Sequence, residues 1–573
     1  MRIARLSLIA LIGLSLFSGQ VQAAEPLPVG AEHGMVVSAH RRASQAGVEV
    51  LRKGGNAVDA AVAVAYALAV TFPEAGNIGG GGFMMVRMHD GRQTFIDFRE
   101  VAPKAATATM YLDAEGKVIP GLSARGYRAV AIPGTVAGLE LARQKYGTRP
   151  RAELMASSIK LASKGFPLDQ GDATMLNEGA ADFAKDAPSA AIFLKAGGPW
   201  RKGDLFVQAD LGKTLKAISD KGADAFYRGA PAASMVAASK AHGGILADAD
   251  FTDYRPVERT PIECDYRGYR VISAPLPSSG GVVICEVLNI LSAYPLKDLG
   301  FHSAQSVHYM TEALRRAYHD RNVNLGDPDF VKVDVARFLS PDYAAQLRQG
   351  ISANKATPSV SLGVPGVGRE GSSTTHFSIV DEQGNAVSLT YTLNDWFGAR
   401  VTAPGTGILL NDEMDDFSSK PGEPNMYGLV EGVNNAIAPG KRPLSSMSPT
   451  IVTKDGKLAM VLGTPGGSHI PTGVLQVMIN MIDHGMTVTE AVNAPRIHAQ
   501  WLPDVIYYEP GSLSADTMSV LASFGHKLEP MDYWNQIAAI YVGGPAIGSP
   551  PLGDDRLYGA IDPRLPVGDV AGY

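Results

Sequence analysis

The feature that most constrains the fold is a run of apolar residues at positions 60–70, which reads AAVAVAYALAV. A helix over this run would be apolar on nearly all faces, and such a helix is normally buried between other layers of structure. The helical pattern extends over residues 35–70, with two glycines at 54–55 that end one helix. Asn56 then caps the next helix, and Asp59 lies in its first turn. The chain must therefore cover this helix from several sides.

The composition is that of a large globular protein. Of its 573 residues, 45% are hydrophobic and 19% are charged, which is unlike a disordered or a collagen-like chain. The formal net charge of −6 is mild for this length, and no run of Lys and Arg indicates a surface that follows phosphates. We therefore expect no nucleic-acid partner.

Metal and disulfide chemistry have little support in the sequence. The two cysteines, Cys264 and Cys285, cannot form a disulfide framework, and no His or Cys cluster has the spacing of a zinc site. We expect no metal and no cofactor. For the cysteines we expect two separately buried thiols, and the alternative is one bridge between them after export.

The first residues have the pattern of an export signal. Arg2 and Arg5 precede an apolar stretch at 6–17, and Val-Gln-Ala at 21–23 is a small-residue site for signal peptidase. An uncleaved membrane anchor is the alternative, but the stretch is shorter than the roughly 20 residues that cross a bilayer. We predict a signal peptide over residues 1–23 and a periplasmic or secreted mature chain without a stable membrane span.

The pattern of elements changes along the chain. Before residue 355 there are strand patterns around an Asp-Gly turn at 90–91 and helical patterns at 135–146, 152–164, 211–221 and 303–321. Residues 355–373, rich in Gly, Ser, Pro and Val, are typical of a flexible connector. Strand patterns follow at 375–380, 386–392, 450–453 and 458–462, and helical patterns return at 471–484 and after a capping box at 487–490. Sheets with helices on both sides are the natural outcome, with an internal boundary at the connector.

The connector leads into two adjacent threonines, Thr374 and Thr375, at the predicted start of a strand. By themselves, two threonines here are explained by β-propensity. A hydroxyl on the residue after a scissile peptide can also attack the preceding carbonyl, and water then opens the resulting ester. The new chain end would carry nucleophile and base together, because an α-amine titrates at about pH 8 and can accept the hydroxyl proton. Such a site needs no histidine.

Several motifs occur together in one order along the chain. In the first half they are GGNAVD at 54–59, NIGGGGF at 77–83, DFRE at 97–100 and PSSGG at 277–281. In the second half they are TTH at 374–376, TYTLN at 390–394, GILLN at 407–411, MDDF at 414–417, PLSSMSP at 443–449 and GTPGG at 463–467. Together they resemble the gamma-glutamyltranspeptidase family, bacterial periplasmic type, over nearly the whole mature chain.

The resemblance implies an N-terminal-nucleophile hydrolase with an α+β fold, a four-layer αββα sandwich. It also implies autocleavage between Ser373 and Thr374. The large subunit would then be residues 24–373 and the small subunit residues 374–573, which share one globular unit.

The resemblance further implies four catalytic positions. Thr374 corresponds to the nucleophile, and Thr392 to the neighbour whose hydroxyl holds the nucleophile's group in place. Gly466 and Gly467 resemble the family's oxyanion hole, where backbone N–H groups without side chains can approach the tetrahedral oxygen. An ordinary strand-to-helix turn is the alternative for the two glycines.

A donor site is implied as well, because a gamma-glutamyl group presents an α-carboxylate and an α-ammonium at a fixed separation. Arg99 would bind both carboxylate oxygens with its planar fork, assisted by the hydroxyls of Ser445 and Ser446. The residues that resemble the family's ammonium partners are Asn394, Glu413 and Asp416.

Residues 420–428 resemble the lid loop of the bacterial-type members, with Tyr427 covering the donor, although a plain surface loop is the alternative. The sequence departs from the family pattern at Asp395, Trp396, Arg400 and Asp412. We expect these four at the acceptor side or at the rim of the site. They put acceptor preference in doubt, but not glutamyl transfer.

The function implied by the resemblance is glutathione hydrolysis and gamma-glutamyl transfer to amino acids or dipeptides. A cephalosporin or glutaryl amide acylase shares the fold and the self-cleavage but has no donor ammonium to bind, and Asp416 argues against it. A catalytically dead binding protein that stays one chain is the other alternative. Thr374, Thr392 and the paired glycines argue against that.

Overall fold

The computed structural model describes residues 27–363 and 374–573. The predicted signal peptide at 1–23 and the predicted cleavage residue Ser373 lie outside these ranges. All further statements about the structure concern the described residues.

Two seven-stranded antiparallel sheets form the centre of this part of the chain. In spatial order, the first sheet contains Val29–Ala31, Leu557–Ile561, Ala538–Val542, Lys457–Gly463, Thr450–Lys454, Tyr269–Ser273 and Ile262–Tyr266. The second sheet contains Asp569–Gly572, Met35–Ser38, Thr375–Val380, Ala386–Thr392, Gly81–Arg87, Gln93–Asp97 and Val257–Arg259. Each sheet therefore combines strands from both sides of the connector, and the two sides form one unit.

Helices cover the outer face of each sheet. The helices that share an apolar core with the second sheet are Arg41–Arg52, Ala57–Thr71, Thr135–Tyr146, Arg151–Lys164, Gln170–Glu178, Ala180–Phe183, Ala187–Phe193, Ala209–Lys221, Asp224–Tyr227, Ala230–Ala241 and Asp248–Asp253. The helices that share an apolar core with the first sheet are Gly280–Leu291, Leu296–Leu299, Ala304–Asn324, Val335–Phe338, Pro341–Gln349, Ile470–Ile482, Val488–Asn493 and Ala515–Ser523. Short strand pairs elsewhere are Phe166–Pro167 with Leu205–Phe206 and Thr402–Ala403 with Ile408–Leu409, and a three-stranded group contains Ile497–His498, Ile506–Tyr508 and Leu528–Pro530.

Three apolar cores separate the resulting four layers. One core lies between each sheet and its helices, and a third lies between the two sheets, where Phe83 and Phe95 of the second sheet and Ile451 and Val461 of the first belong to one cluster. The layer order is helix, sheet, sheet, helix. The predicted αββα sandwich is confirmed.

The apolar helix that opened the sequence argument is Ala57–Thr71, and every one of its residues is buried. Asn56 caps it as predicted. The Asn56 side chain accepts from the N–H groups of Val58 and Asp59, both at 3.0 Å, and the Asp59 carboxylate accepts from the Asn56 N–H, also at 3.0 Å. This reciprocal capping box fixes the start of a helix that is enclosed between layers.

The prediction of helical structure from residue 35 was wrong for its first residues. Met35–Ser38 is a strand of the second sheet, between Thr375–Val380 and Asp569–Gly572. Its valines are buried, and both of its edges are paired by segments more than 300 positions away in the sequence. Tertiary pairing of this kind is invisible to a local periodicity analysis. The helix begins at Arg41.

The expectation of two separate thiols was also wrong, because a disulfide joins Cys264 to Cys285. Cys264 lies on the edge strand Ile262–Tyr266, and Cys285 lies on the helix Gly280–Leu291, which packs across that strand. This packing brings the two Cα atoms to 5.7 Å, within the range that a disulfide spans.

Between residues 27–363 and 374–573, no helix is both long enough and apolar enough to cross a bilayer.

Candidate active site

A small cavity opens beside Thr374. Its wall contains three of the predicted catalytic residues, Thr374, Thr392 and Gly467. It also contains every predicted substrate-binding residue: Arg99, Asn394, Glu413, Asp416, Tyr427, Ser445 and Ser446. Residues from distant parts of the sequence thus converge on one concave site, as expected of a small-molecule pocket.

The two threonines meet because their strands are neighbours in the second sheet. Thr375 pairs with Tyr391 in the antiparallel register, so Thr374 stands opposite Thr392. The Oγ1 atoms of Thr374 and Thr392 are 3.4 Å apart, and the Thr392 hydroxyl also accepts from the Asn394 N–H at 2.8 Å. Thr374 exposes only 6% of its surface. A nucleophile at this position would be held by a neighbouring hydroxyl and sheltered from bulk water.

His376 lies two residues after Thr374 but is oriented toward other groups. Its Nδ1 is 2.8 Å from the Thr390 hydroxyl, and its Nε2 is 3.1 Å from the Ser378 hydroxyl. Burial lowers the pKa of His376 to about 3, so the ring is neutral at physiological pH. These contacts give His376 a structural part in the sheet.

The paired glycines form a tight turn between the strand Lys457–Gly463 and the helix Ile470–Ile482. Gly466 has φ +132° and Gly467 has φ +54°, both in the region that favours glycine. A Cβ on Gly466 would lie 2.5 Å from Nδ2 of Asn535. Gly467 lines the cavity, and Gly466, which precedes it in the turn, does not. Their part as an oxyanion hole stays a prediction, and the turn geometry explains why the sequence needs glycine here.

Arg99 is the centre of a buried charge cluster in the lining of the same cavity. Its guanidinium donates to the carboxylates of Glu413 and Asp416, and Glu100 Oε2 lies 3.7 Å from Nη1. The Tyr254 hydroxyl donates to the Arg99 carbonyl at 2.9 Å. Arg99 itself is 0% exposed. The predicted carboxylate binder and two predicted ammonium partners are therefore in direct contact with one another.

Burial changes the ionisation of the acids in this cluster. It raises the pKa of Glu100 to about 7, against the lowering effect of the Arg99 charge. Burial raises the pKa of Glu413 well above its usual range, again opposed by Arg99 and reinforced by Glu100. Three carboxyl groups around one guanidinium cannot all ionise cheaply in a buried site, so a proton stays on the Glu100 and Glu413 pair near neutral pH.

The two serines predicted to assist carboxylate binding are held by another turn of the chain. The N–H and hydroxyl of Ser279 both donate to the Ser445 carbonyl at 2.8 Å, and the Ser278 hydroxyl donates to the Met447 carbonyl at 2.6 Å. The Met447 N–H donates to the Ser445 hydroxyl at 3.1 Å. The PSSGG and PLSSMSP motifs are thus hydrogen-bonded to each other, and these bonds fix Ser445 and Ser446 in the cavity lining.

The segment predicted as a lid, residues 420–428, contributes Tyr427 to the lining of the cavity. The Tyr427 hydroxyl donates to the backbone carbonyl of Asn394 at 2.8 Å and lies 2.7 Å from its Oδ1. The Gln500 side chain donates to the Tyr427 carbonyl at 3.4 Å. Tyr427 is only 4% exposed, so this part of the segment is packed and is not a plain surface loop. Asn394, with φ +80°, ties the segment to the strand that carries Thr392.

Known proteins similar to this chain indicate the same family that its motifs resemble. The sequence profile of the gamma-glutamyltranspeptidase family matches residues 43–572. The chain belongs to the gamma-glutamyltranspeptidase family. It is 60% identical over 556 residues to the glutathione hydrolase proenzyme of Pseudomonas sp. strain A14, covering 96% of each chain.

Two further proteins similar to this gamma-glutamyltranspeptidase family member are also bacterial. It is 49% identical over 549 residues to the glutathione hydrolase proenzyme of Escherichia coli strain K12, covering 95% of this chain and 93% of that one. The crystal structure of cephalosporin acylase from Bacillus halodurans is similar with a TM-score of 0.84 and 29% identity, covering 97% of this chain and 99% of that chain. The family prediction is confirmed.

The four departures from the family pattern have different surroundings. Asp395 accepts from Arg125 at 2.7 Å and from Arg400 at 3.1 Å. Trp396, 38% exposed, lines a separate cavity of about 670 Å³. Asp412 was expected at the acceptor side or at the rim; it is 0% exposed and accepts the Asp395 N–H at 2.8 Å, so the rim alternative is wrong for it. Burial, with the Asp395 charge second, raises the pKa of Asp412 well above its usual range. Asp412 therefore supports the backbone beneath the site.

Arg321 is the main site residue that sequence reasoning missed. It lines the cavity from the helix Ala304–Asn324 and is 1% exposed. On a helix with several charged residues, nothing local distinguishes a buried arginine from a solvated one. The other lining residues not predicted are Leu429, Leu444, Met447, Ser468 and Ile470.

One group of metal-ligand side chains occurs among the described residues, and it lies outside the cavity lining. It consists of His308, Glu312 and His526. His308 Nδ1 is 2.8 Å from His526 Nε2, and the Glu312 carboxylate accepts from Arg316 at 2.6 Å and from the Thr357 hydroxyl at 2.5 Å. These side chains contact one another or the Arg316 guanidinium, and none of them lines the cavity beside Thr374.

Proposed function

We propose that this protein is an autoprocessed gamma-glutamyltranspeptidase that takes the gamma-glutamyl group from glutathione and related compounds. The observation that carries the proposal is the convergence of Thr374, a buried arginine and acidic side chains on one small cavity. The nucleophile and the charges needed for an α-amino acid head group lie in the same wall.

Maturation is an attack of Thr374 on its own chain. The Thr374 hydroxyl adds to the Ser373 carbonyl carbon, the peptide C–N bond breaks, and the acyl group moves from nitrogen to oxygen. Water then hydrolyses this ester, which leaves a carboxylate on Ser373 and a free α-amine on Thr374. The products are the large subunit, 24–373, and the small subunit, 374–573.

Turnover repeats this chemistry on the substrate. The free α-amine of Thr374 accepts the hydroxyl proton as the oxygen attacks the gamma-amide carbonyl. Backbone N–H groups of the turn at Gly466 and Gly467 stabilise the tetrahedral oxyanion. The amine product leaves with a proton, and the gamma-glutamyl ester on Thr374 then passes to water, an amino acid or a dipeptide.

Donor binding uses the charge cluster in a specific way. The gamma-glutamyl head group carries a carboxylate and an ammonium, so it can insert between Arg99 and Asp416, which contact each other directly. Its carboxylate would bind Arg99, Ser445 and Ser446, and its ammonium would bind Asp416. Each charge of the protein then keeps a partner of opposite sign, which limits the desolvation cost of opening the pair.

The similarity to a cephalosporin acylase makes acylase activity the second candidate. Initial rates with gamma-glutamyl-p-nitroanilide and glutaryl-p-nitroanilide separate the two, because the glutaryl group lacks the α-ammonium. We expect kcat/KM at least about a hundredfold higher for the gamma-glutamyl compound, from the loss of a charge-assisted contact in a buried site. Equal or faster turnover of the glutaryl compound would assign the protein to the acylases.

We further propose export to the periplasm or the medium, on the basis of the charged, apolar and small-residue order in residues 1–23. The test is N-terminal sequencing of the large fragment purified from fractionated cells. We expect Ala24 as its first residue, in the exported fraction. A large fragment that retains Met1 in the cytoplasmic fraction would refute export.

A further inference from the structure

We propose that Arg321, Glu431 and Asn435 form a buried bridge that sets the separation between the carboxylate and ammonium subsites of the donor site. The inference rests on the proposed function and names positioning residues for it. None of the three residues was predicted from the sequence. Arg321 lines the cavity, whereas Glu431 and Asn435 are buried and do not line it.

Arg321 holds the carboxylate side. Its Nη2 donates to the Ser446 hydroxyl at 3.3 Å, and its Nε donates to the Ser279 hydroxyl at 3.1 Å. Ser279 in turn donates to the carbonyl of Ser445. One planar guanidinium therefore fixes both predicted carboxylate-binding serines, Ser446 directly and Ser445 through Ser279.

Asn435 holds the ammonium side. Its Nδ2 donates to the Asp416 carbonyl at 2.7 Å, and its backbone carbonyl accepts from the Ser418 N–H at 3.0 Å. Its Oδ1 accepts from the Leu444 N–H at 3.0 Å, next to the serines. Asn435 is 1% exposed, so these hydrogen bonds are shielded from water.

Glu431 joins the two sides. Its Oε1 accepts from Arg321 Nη1 at 2.5 Å, and its Oε2 accepts from Asn435 Nδ2. Its backbone carbonyl accepts from the N–H of Gly422 in the lid segment at 3.0 Å. Glu431 is 2% exposed, and Arg321 is 1% exposed. A fully buried pair of this kind is valuable for fixing geometry more than for net stability.

The geometry makes a distinct prediction for substrates that engage one or both subsites. A gamma-glutamyl donor must satisfy both subsites at once, so its binding depends on their separation. A glutaryl donor has the carboxylate but no ammonium, so it can shift to suit one subsite alone. Damage to the bridge should therefore weaken gamma-glutamyl binding more than glutaryl binding.

The experiment measures kcat and KM of the mature protein with gamma-glutamyl-p-nitroanilide and glutaryl-p-nitroanilide. Arg321→Lys keeps the charge but loses the planar fork. That fork donates to four side chains, those of Ser279, Asn322, Glu431 and Ser446. We expect KM for the gamma-glutamyl donor to rise about tenfold with kcat within about threefold, which is the scale of a lost charged hydrogen bond. We define the donor ratio as kcat/KM for the gamma-glutamyl compound divided by kcat/KM for the glutaryl compound. This donor ratio should fall by a similar factor.

The matched control is Arg316→Lys on the same helix. Arg316 is buried and paired with Glu312, but it does not line the cavity. We expect its donor ratio to stay within about twofold of wild type. If Arg321→Lys yields no cleaved protein, the same measurements are made on Glu431→Gln. We expect a smaller rise of KM for the gamma-glutamyl donor and a fall of the donor ratio.

Two results would overturn the bridge. One is an unchanged KM in Arg321→Lys or, where that variant is not cleaved, in Glu431→Gln. The other is an equal loss for both donors, which marks a general structural defect. Either result with an active wild type contradicts the bridge alone. Cleaved wild-type protein that turns over neither donor contradicts the proposed function itself, and this inference with it.

Discussion

At the residue scale, the proposed chemistry depends on a pair of hydroxyl groups brought together by the strand register. Thr392 stands opposite Thr374 with 3.4 Å between the two oxygens. Replacing Thr392 with Val removes the hydroxyl and keeps the branched shape, so we expect kcat to fall about a hundredfold, as for the loss of one polar group at a reacting centre. Thr392→Ser keeps the hydroxyl and should retain most of the activity. Initial rates with gamma-glutamyl-p-nitroanilide test this, and equal rates for the Val and Ser variants would contradict it.

Donor binding should depend on pH through Glu100. Because burial raises the pKa of Glu100 to about 7, the group is neutral below that pH and gains a negative charge above it. The added charge lies beside Arg99, where it competes with the donor's carboxylate, so we expect KM to rise between about pH 7 and pH 8. Glu100→Gln cannot ionise and should show a flat KM over this range. Parallel KM profiles for the two proteins would exclude Glu100 as the titrating group.

The sequence predicted the site residues that belong to short motifs, and it did not predict the site residues that are recognisable only by their burial. Thr374, Thr392 and Arg99 were predicted because each belongs to a motif. Arg321 lies on a charged helix, and a helical pattern does not show which arginine points into a cavity. Asp412 was expected at the acceptor side or at the rim, whereas it is buried and accepts a backbone N–H, which no local sequence pattern shows.

At the element scale, the Tyr427 hydroxyl is one of the contacts that hold the segment predicted as a lid. Tyr427→Phe removes a hydroxyl that lies 2.8 Å from the carbonyl and 2.7 Å from the Oδ1 of Asn394, while the ring can keep its packing. We expect KM for the donor to rise about threefold to tenfold, on the scale of one or two neutral hydrogen bonds. Tyr266→Phe is the control, because its hydroxyl donates to Asp483 outside the cavity lining. Equal effects of the two substitutions would argue against a lid.

The disulfide ties a helix to an edge strand of the first sheet. The two cysteines are 21 positions apart, so replacing both with Ser should lower the free energy of unfolding by about 3 kcal/mol, mainly by freeing the unfolded chain. Urea denaturation in a Thr374→Ala background, where one chain is expected, measures this. The kcat of the same Cys264→Ser, Cys285→Ser pair in the active protein should be unchanged, because neither residue lines the cavity. An unchanged free energy of unfolding would contradict a disulfide between Cys264 and Cys285.

Element boundaries were predictable where the pattern is local. The strands Thr375–Val380 and Ala386–Thr392 and the helix Thr135–Tyr146 lie where the periodicity placed them. Met35–Ser38 was read as helix because its strand character comes from distant partners. The contact between Cys264 and Cys285 was missed for a related reason, since helix-on-strand packing leaves no spacing signal in the sequence.

At the scale of the whole molecule, the layered architecture makes cleavage compatible with a stable protein. Both seven-stranded sheets contain strands from each side of residue 374, and the core between them is shared. A break in the connector therefore separates no sheet from its core. The layered fold was predictable because the apolar helix Ala57–Thr71 had to be enclosed, but the strand order was not, since it depends on pairings across hundreds of residues.

The most direct test of the account is the state of the chain in purified protein, observed by denaturing gel electrophoresis with N-terminal sequencing of the smaller band. We predict two fragments, the smaller one beginning at Thr374, and a single uncut band for Thr374→Ala. A smaller fragment that begins elsewhere, or wild-type protein that remains one chain and still processes glutathione at full rate, would contradict the assignment of Thr374 as the nucleophile.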